Sequence, residues 1–428
     1  MIRASLLAVF FNLFNPEPPI VGTLPLLTWH EASIFEMVTQ SDPEIENIVN
    51  NYLQDLASQG YALNRQGVWI QSDWAELAQN QGKIPASAAS LTKIATTLAS
   101  INTWDLNHQF PTKIYIRGQI VNGILNGDLV VKGDGDPLLV WEEAIAIGNS
   151  LNELGINQVT GDLIIVGDFM MNFKEDGLTS AKLFQQALNS QQWTPVIEKQ
   201  YQTLSNQPPR PQIEIKGQIQ LQNQMPENAD LLLTHQSLTL TEILKLMNVY
   251  SNNKIAEKLA QKIGGGPKIG QIVRELTRVS PREIQLINGS GLGVENRISP
   301  HAACKMLMVL EQQLEDTNIN IADLFPVSNF GSQGTIEDRN IPLGLPVKTG
   351  SLAVVSALAG VIPTEERGNV YFAIINYGNN LDKMRSQQDS LLQNLDQHWQ
   401  FDSVKPLLTN TSYFGDPNRN LNPNNPLS

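Results

Sequence analysis

Pro85-Ala86-Ser87-Ala88-Ala89-Ser90-Leu91-Thr92-Lys93-Ile94-Ala95-Thr96-Thr97-Leu98 holds two facts at once. Leu91, Ile94, Ala95 and Leu98 follow the i, i+3, i+4, i+7 rule, which predicts a buried helix. Ser90 stands at its start, and Lys93 lies one turn further on the same face. A lysine desolvated there is a base for the serine hydroxyl. A helix-capping serine followed by a surface lysine explains the pair alone about equally well. Ser87 is the rival serine, but no lysine lies three residues beyond it.

Outward from this stretch, helical patterning returns at Thr241 to Met247, pauses at Tyr250-Ser251-Asn252-Asn253 and restarts with Ile255, Ala256, Leu259 and Ile263. Ser251 and Asn253 therefore lie on a helix-to-helix turn, where a hydroxyl relays a proton and an amide holds a carbonyl. Ser251 or Asn252 as a plain helix cap is the blander alternative. Further on, Lys348-Thr349-Gly350-Ser351 opens a strand run, and Val354 to Ala357 and Asn369 to Asn376 predict an antiparallel hairpin turned at Thr364 to Gly368. A cation, hydroxyls and an open backbone at Gly350 suit an extended peptide docking along the strand edge, its carboxylate near Lys348. The three motifs differ in weight: Ser-x-x-Lys and Ser-x-Asn recur by chance in a chain of this length, whereas Lys-Thr-Gly is expected in only ~10% of such chains.

The remaining pattern divides the chain. Glu44 to Leu56 reads as an amphipathic helix and Gly67 to Ile70 as a strand. Between Phe110 and His235 the character shifts to short alternating runs, Lys113 to Ile116, Asp128 to Val131 and Asp162 to Val166, punctuated by Gly-Asp turns. Gln191 to Pro211, rich in Gln and Pro, reads as an exposed connection. The N-terminus, Met1-Ile2-Arg3 followed by Ala4 to Phe11, has the charged and apolar parts of an export signal or anchor.

Ser90-x-x-Lys93, Ser251-x-Asn253 and Lys348-Thr349-Gly350 in this order form the set of active-serine penicillin-recognising enzymes. With them go Leu125-Asn126-Gly127-Asp128-Leu129, Gly135-Asp136-Pro137, Gly161-Asp162-Leu163, Ala256-Glu257, Gly289-Ser290-Gly291-Leu292 with Asn296-Arg297, Gly334-Thr335-Ile336 with Arg339, and Leu358-Ala359-Gly360. On these residues, from about Trp74 to Tyr377, the chain resembles the class C penicillin-binding proteins, the D-alanyl-D-alanine carboxypeptidase and endopeptidase family. It departs from that family at Asn288, where an Asp is usual, at Asn252, where Ser-Asp-Asn is usual, and after Asp168, where the family's Trp-rich segment has no clear counterpart.

The resemblance implies an α/β (α+β) fold with a β-lactamase/transpeptidase-like serine hydrolase domain over 26–109 and 236–405. The alternating runs give a β-rich inserted domain at 110–235, the N-terminal pattern an export signal or anchor at 1–25, and the Asn- and Pro-rich, non-periodic C-terminus a disordered tail at 406–428. The resemblance implies a serine-type D-Ala-D-Ala carboxypeptidase, with endopeptidase work on cross-links as an extension, acting on peptidoglycan peptides ending in D-Ala-D-Ala in the periplasm or cell envelope. β-lactams would be acylating inhibitors, and neither metal nor organic cofactor is expected. The implied catalytic residues are Ser90, Lys93, Ser251, Asn253 and Lys348, and Thr349, Gly350 and Ser351 bind substrate. The backbone N–H groups of Ser90 and Ser351 are the candidates for an oxyanion hole. The alternative is a non-catalytic peptidoglycan-binding or scaffolding protein that retains the fold.

Composition excludes other classes. The formal charge of −13, from 29 Lys plus Arg against 42 Asp plus Glu, works against nucleic acid. A single cysteine, Cys304, excludes an intramolecular disulfide or Cys-rich zinc site. The five histidines are scattered, and Asn288-Gly289-Ser290-Gly291 lacks the first glycine of a nucleophile elbow, so a Ser-His-Asp hydrolase is disfavoured. A class A β-lactamase has no room for a domain between Ser90 and Ser251, and its deacylating glutamate is imitated at Glu283 one residue out of register.

Overall fold

The computed structural model describes residues 38–39, 42–204, 207–328, 333–365, 367–408 and 412–423. The export segment expected at 1–25 lies outside the described residues. Asp42 caps the helix Pro43–Ser58 through its side chain, with Pro43 pre-setting the first turn. This helix and the helix Leu381–Trp399 cover one face of a six-stranded sheet ordered Val38–Thr39, Ala75–Asn80, Gln66–Ser72, Gly368–Tyr377, Val355–Thr364, Val347–Leu352.

Alternation sorts the strands between two cores. Val68, Ile70, Phe372 and Ile374 join Ile45, Leu56 and Leu392 on one side, while Trp69, Tyr371, Ala373 and Ile375 join Leu91, Ile94 and Cys304 on the other. With both faces covered, the strands read as nearly continuous apolar runs. The expected hairpin is present, with Val355 opposite Tyr377 and Thr364 opposite Gly368.

The second core wraps the helix Thr92–Thr103, whose residues Thr92 to Ser100 are all buried. It is preceded by a single 3-10 turn, Ala89–Leu91, that carries Ser90. The helices Leu240–Val249, Asn253–Ile263, Gly266–Thr277 and Pro300–Leu314 surround it. A small sheet of Ile284–Gln285, Arg297–Ile298 and Ala86–Ser87 fixes the approach to the turn.

Residues 111–236 build a separate sheet. Its long hairpin, Pro111–Val121 with Ile124–Asp134, closes on Asn122-Gly123, both at positive φ, as a two-residue turn demands. Leu163–Asp168 and Ile219–Gln222 extend it on one side and Asp230–Gln236 on the other. Its own core includes Ile114, Leu129, Ile147, Leu163 and Phe184.

The structure differs from expectation in three places here. The insert also carries the helices Trp141–Glu153, Gly177–Ala187 and Pro195–Tyr201. The last lies inside the stretch read as an exposed connection, because Ile197 and Tyr201 pack with Ile145 and Leu204 as a satellite core. The tail read as disordered is ordered over 412–423: Asn420–Leu421 pairs with Thr234 and His235 as a further strand of the insert sheet. Polar anchors replace the missing apolar ones, since Arg419 Nη2 donates to Glu143 Oε1 at 2.6 Å and Asn420 Oδ1 meets His235 Nδ1 at 2.7 Å.

Candidate active site

The Ser90 turn is built under constraint. Ala89 adopts φ +47, a conformation costly for a residue with a Cβ. Gly291 crosses its carbonyl so closely that an added Cβ would lie 1.8 Å from Ala89 O, with φ +82 besides. The turn is therefore held from behind by the 288–296 loop, whose Asn296 carbonyl also accepts from Ala88 N at 3.0 Å.

Lys93 Nζ lies 3.1 Å from Ser90 Oγ, 2.7 Å from Asn253 Oδ1 and 2.8 Å from the Ser290 carbonyl. The lysine is wholly buried, and desolvation pushes its pKa down to about 7, partly opposed by the charge of Glu257. Glu257 in turn holds the loop through the Ser290 and Gly289 N–H groups. A neutral amine has two N–H donors and one lone pair. Asn253 and Ser290 supply the two acceptors, which leaves the lone pair for the Ser90 hydroxyl.

Ser251, at φ +51, faces the same cleft from the turn between two helices. Its Oγ accepts from Lys348 Nζ at 3.1 Å. Asn252, in the departing middle position of the motif, caps the helix Asn253–Ile263 through Lys254 N and Ile255 N. The cap thus falls on Asn252, which leaves the Ser251 hydroxyl free of that task at the cleft. Asn288 likewise fills its family position: its Oδ1 accepts from Gly291 N and Asn296 Nδ2, and its Nδ2 donates to Leu292 O. An Asp oxygen would accept the first two bonds equally well.

The strand Val347–Leu352 forms the opposite wall. A Cβ on Gly350 would lie 3.0 Å from Ser90 N and 3.1 Å from Ala88 O, so the strand passes directly beside the Ser90 turn. Thr349 Oγ1 donates to Thr335 Oγ1 at 2.7 Å, bringing in the Gly334-Thr335 segment. The cleft between these walls measures about 610 Å³, and Ser90, Ser251, Thr349, Gly350 and Ser351 all line it.

Lys348 is where the structure parts from the expectation of a carboxylate clamp. It is fully buried, not a lining residue, and its Nζ is occupied by Ser251 Oγ and, at 2.8 Å, by the Thr349 carbonyl. Desolvation, reinforced by nearby Lys93, holds its pKa well below the usual lysine range. Ser87, the rival nucleophile, is also buried, and its N–H donates to Tyr377 Oη at 2.6 Å. It does not line the cleft.

Sequence reasoning missed Arg385, Asp382 and Ser386, which reach the cleft from the helix Leu381–Trp399. Arg385 Nη2 donates to Ser351 Oγ at 3.0 Å. No motif marks it, because the contact spans two elements brought together only by the sheet.

The sequence pattern of the D-Ala-D-Ala carboxypeptidase 3 (S13) family matches residues 49–172 and 186–398. The chain is 24% identical over 390 residues to the D-alanyl-D-alanine carboxypeptidase DacB of Haemophilus influenzae, spanning 68% of this chain and 80% of that protein. Its fold is similar to that of a penicillin G acylated predatory endopeptidase from Bdellovibrio bacteriovorus, with a TM-score of 0.66, 22% identity, and coverage of 80% of this chain and 95% of the other. It is also similar to penicillin binding protein 4 of Haemophilus influenzae, with a TM-score of 0.62, 19% identity, and coverage of 81% and 98%.

Proposed function

The chain belongs to the D-Ala-D-Ala carboxypeptidase 3 (S13) family and is a peptidase of that kind; from this premise we propose that it works as a serine-type enzyme, through an acyl-enzyme on Ser90. The observation that carries this reading is the Ser90 Oγ to Lys93 Nζ contact of 3.1 Å, made to an amine whose burial lowers its pKa to about 7. Near neutral pH a large share of the enzyme then holds the lysine as a free base.

Ser90 Oγ attacks the carbonyl of the penultimate D-Ala and passes its proton to Lys93 Nζ. The oxyanion is met by the Ser90 and Ser351 N–H groups, and Asn253 fixes the lysine. Collapse expels the terminal D-Ala, with Ser251 Oγ relaying to the leaving nitrogen the proton that Lys93 took from Ser90, while Lys348 orients that hydroxyl and Lys93 returns to its free base. Water then cleaves the ester. A β-lactam opens on the same serine with its leaving nitrogen still tethered, so the ester persists. The domain bounds 26–109 with 236–405, and 110–235, belong to this reading. So does action in the periplasm or cell envelope on peptidoglycan peptides; among the described residues no helix is long and apolar enough to cross a membrane.

The test is release of D-Ala from a peptide ending in D-Ala-D-Ala. Ser90→Ala is expected to abolish it while leaving the melting transition in place. Undiminished release by that variant would refute the assignment.

A further inference from the structure

The substrate of the reaction proposed above presents a negative charge to an acidic protein. Three carboxylates, Asp338, Asp382 and Asp389, line the cleft itself. A carboxylate on the leaving residue is therefore repelled unless a cation meets it locally, and Lys348 is enclosed behind the wall.

Among the described residues lining the cleft, the cations are Arg339 and Arg385. Arg339 is 6% exposed and already bound to Asp389 through Nε at 3.0 Å and Nη2 at 2.6 Å, with further bonds to Gln388 Oε1 and Arg385 O. Arg385 is 36% exposed. Its Nη1 holds Asp382 at 3.0 Å, and that carboxylate is itself 92% exposed. Its Nη2 reaches Ser351 Oγ, also at 3.0 Å, on the strand where the peptide is read to dock.

We propose that Arg385 receives the carboxylate on the leaving side of the scissile bond, with the Ser351 hydroxyl completing the clasp. This rests on the Ser90 reading above. In an extended peptide the carboxylate lies one residue, roughly 3.3 Å, beyond the scissile carbonyl. A carbonyl seated over Ser90 and Ser351 N–H thus brings the carboxylate beside Ser351 Oγ and Arg385. Ser351 Oγ accepts from Arg385 and keeps its own proton for a carboxylate oxygen, so one hydroxyl serves both groups. The planar fork of N–H donors on Arg385 suits a carboxylate. The chemistry is the same whether that carboxylate is a free D-Ala terminus or belongs to the leaving residue of a cross-link.

The test compares kcat/KM for a D-Ala-D-Ala peptide and its C-terminal amide in the wild type, Arg385→Ala and Arg385→Lys. Arg385→Ala is expected to lose ~10- to 100-fold on the free acid, the range of a hydrogen bond to a charged group. It should stay within about twofold on the amide, and Arg385→Lys should recover part of the loss. A cross-linked substrate run alongside names the source: a loss on the free acid alone assigns the D-Ala terminus, and a matching loss on the cross-link extends the clasp to its leaving residue. Equal loss on acid and amide, or none on either, overturns it. Penicillin labelling separates the two claims: a wild type not acylated at Ser90 defeats the catalytic reading, whereas full acylation with acid-over-amide preference intact in Arg385→Ala defeats this inference alone.

Discussion

Lys93 and Lys348 in the wall of the cleft, and Arg419 where the C-terminal segment meets the insert, are all buried, yet their surroundings are opposite. The lysines face neutral oxygens: Ser90, Asn253 and Ser290 around one, Ser251 and Thr349 around the other. Arg419 faces Glu143 Oε1 at 2.6 Å, with His235 and Asp136 close by. In the wall, desolvation without a bonded counterion drives the amines toward the free base, which is what proton transfer needs. At the junction it is the acids whose titration moves. Burial pushes Glu143 up to about 8 in spite of Arg419, and Asp136 up to about 7. The same burial favours free amines in one place and a clasp for a chain end in the other.

Exchanging a cation for methionine should break the two regions differently. Lys93→Met is expected to cut acylation ~100- to 10,000-fold, the usual worth of a positioned base. Its stability should stay within about 1 kcal/mol, since losing a desolvated amine offsets the acceptors left unbonded. Stopped-flow acylation and urea unfolding read the two effects, and near-normal acylation would make the lysine structural. Arg419→Met should cost ~2 kcal/mol by taking the charged donor away from Glu143 Oε1 and the Tyr413 carbonyl. Its kcat/KM should remain near wild type, and a comparable loss of activity would mean that the junction serves the cleft directly.

The pH responses sharpen the contrast. With Lys93 at about 7, the acylation rate constant should rise about tenfold per unit below that pH and level off above it. A flat profile between pH 5 and 8 would exclude a titrating lysine base. The smallest effect is expected at the junction. In the folded chain Asp136 and Glu143 keep protons to about 7 and 8 that they lose near 4 when unfolded, so their contribution to stability falls as pH rises toward 8. His235, lowered to about 4 chiefly by burial, acts the other way between about 4 and 6.5. Hydrogen-exchange protection of Asn420 and Leu421, corrected for intrinsic rates, should therefore drop several-fold from pH 6.5 to 8. Glu143→Gln should flatten that drop.

What could be read in the sequence follows the same division. The helix behind Ser90, the turn at Ser251 and the hairpin after Lys348 are local features whose periodicity and turn residues agree with the final fold, so they were legible. Whether Lys348 points into the cleft or into its wall depends on Ser251 arriving from 97 residues away. Arg385 sits in an amphipathic helix like any surface arginine until the sheet brings Ser351 to it. The tail is poor in apolar residues, and composition alone reads that as disorder. Its order comes from Arg419 and Asn420 meeting Glu143, His235 and Ser150. The helix Trp141–Glu153 was hidden because Glu142 and Glu143 occupy buried positions, where a binary pattern expects apolar residues.

In the proposed mechanism Ser90, activated by a desolvated Lys93, forms the acyl-enzyme. Intact-mass measurement after incubation with penicillin, followed by peptide mapping, tests it most directly. One adduct per chain on Ser90 is the predicted result, absent in Ser90→Ala and strongly slowed in Lys93→Met. An adduct on Ser87, or one that survives Ser90→Ala, would contradict it.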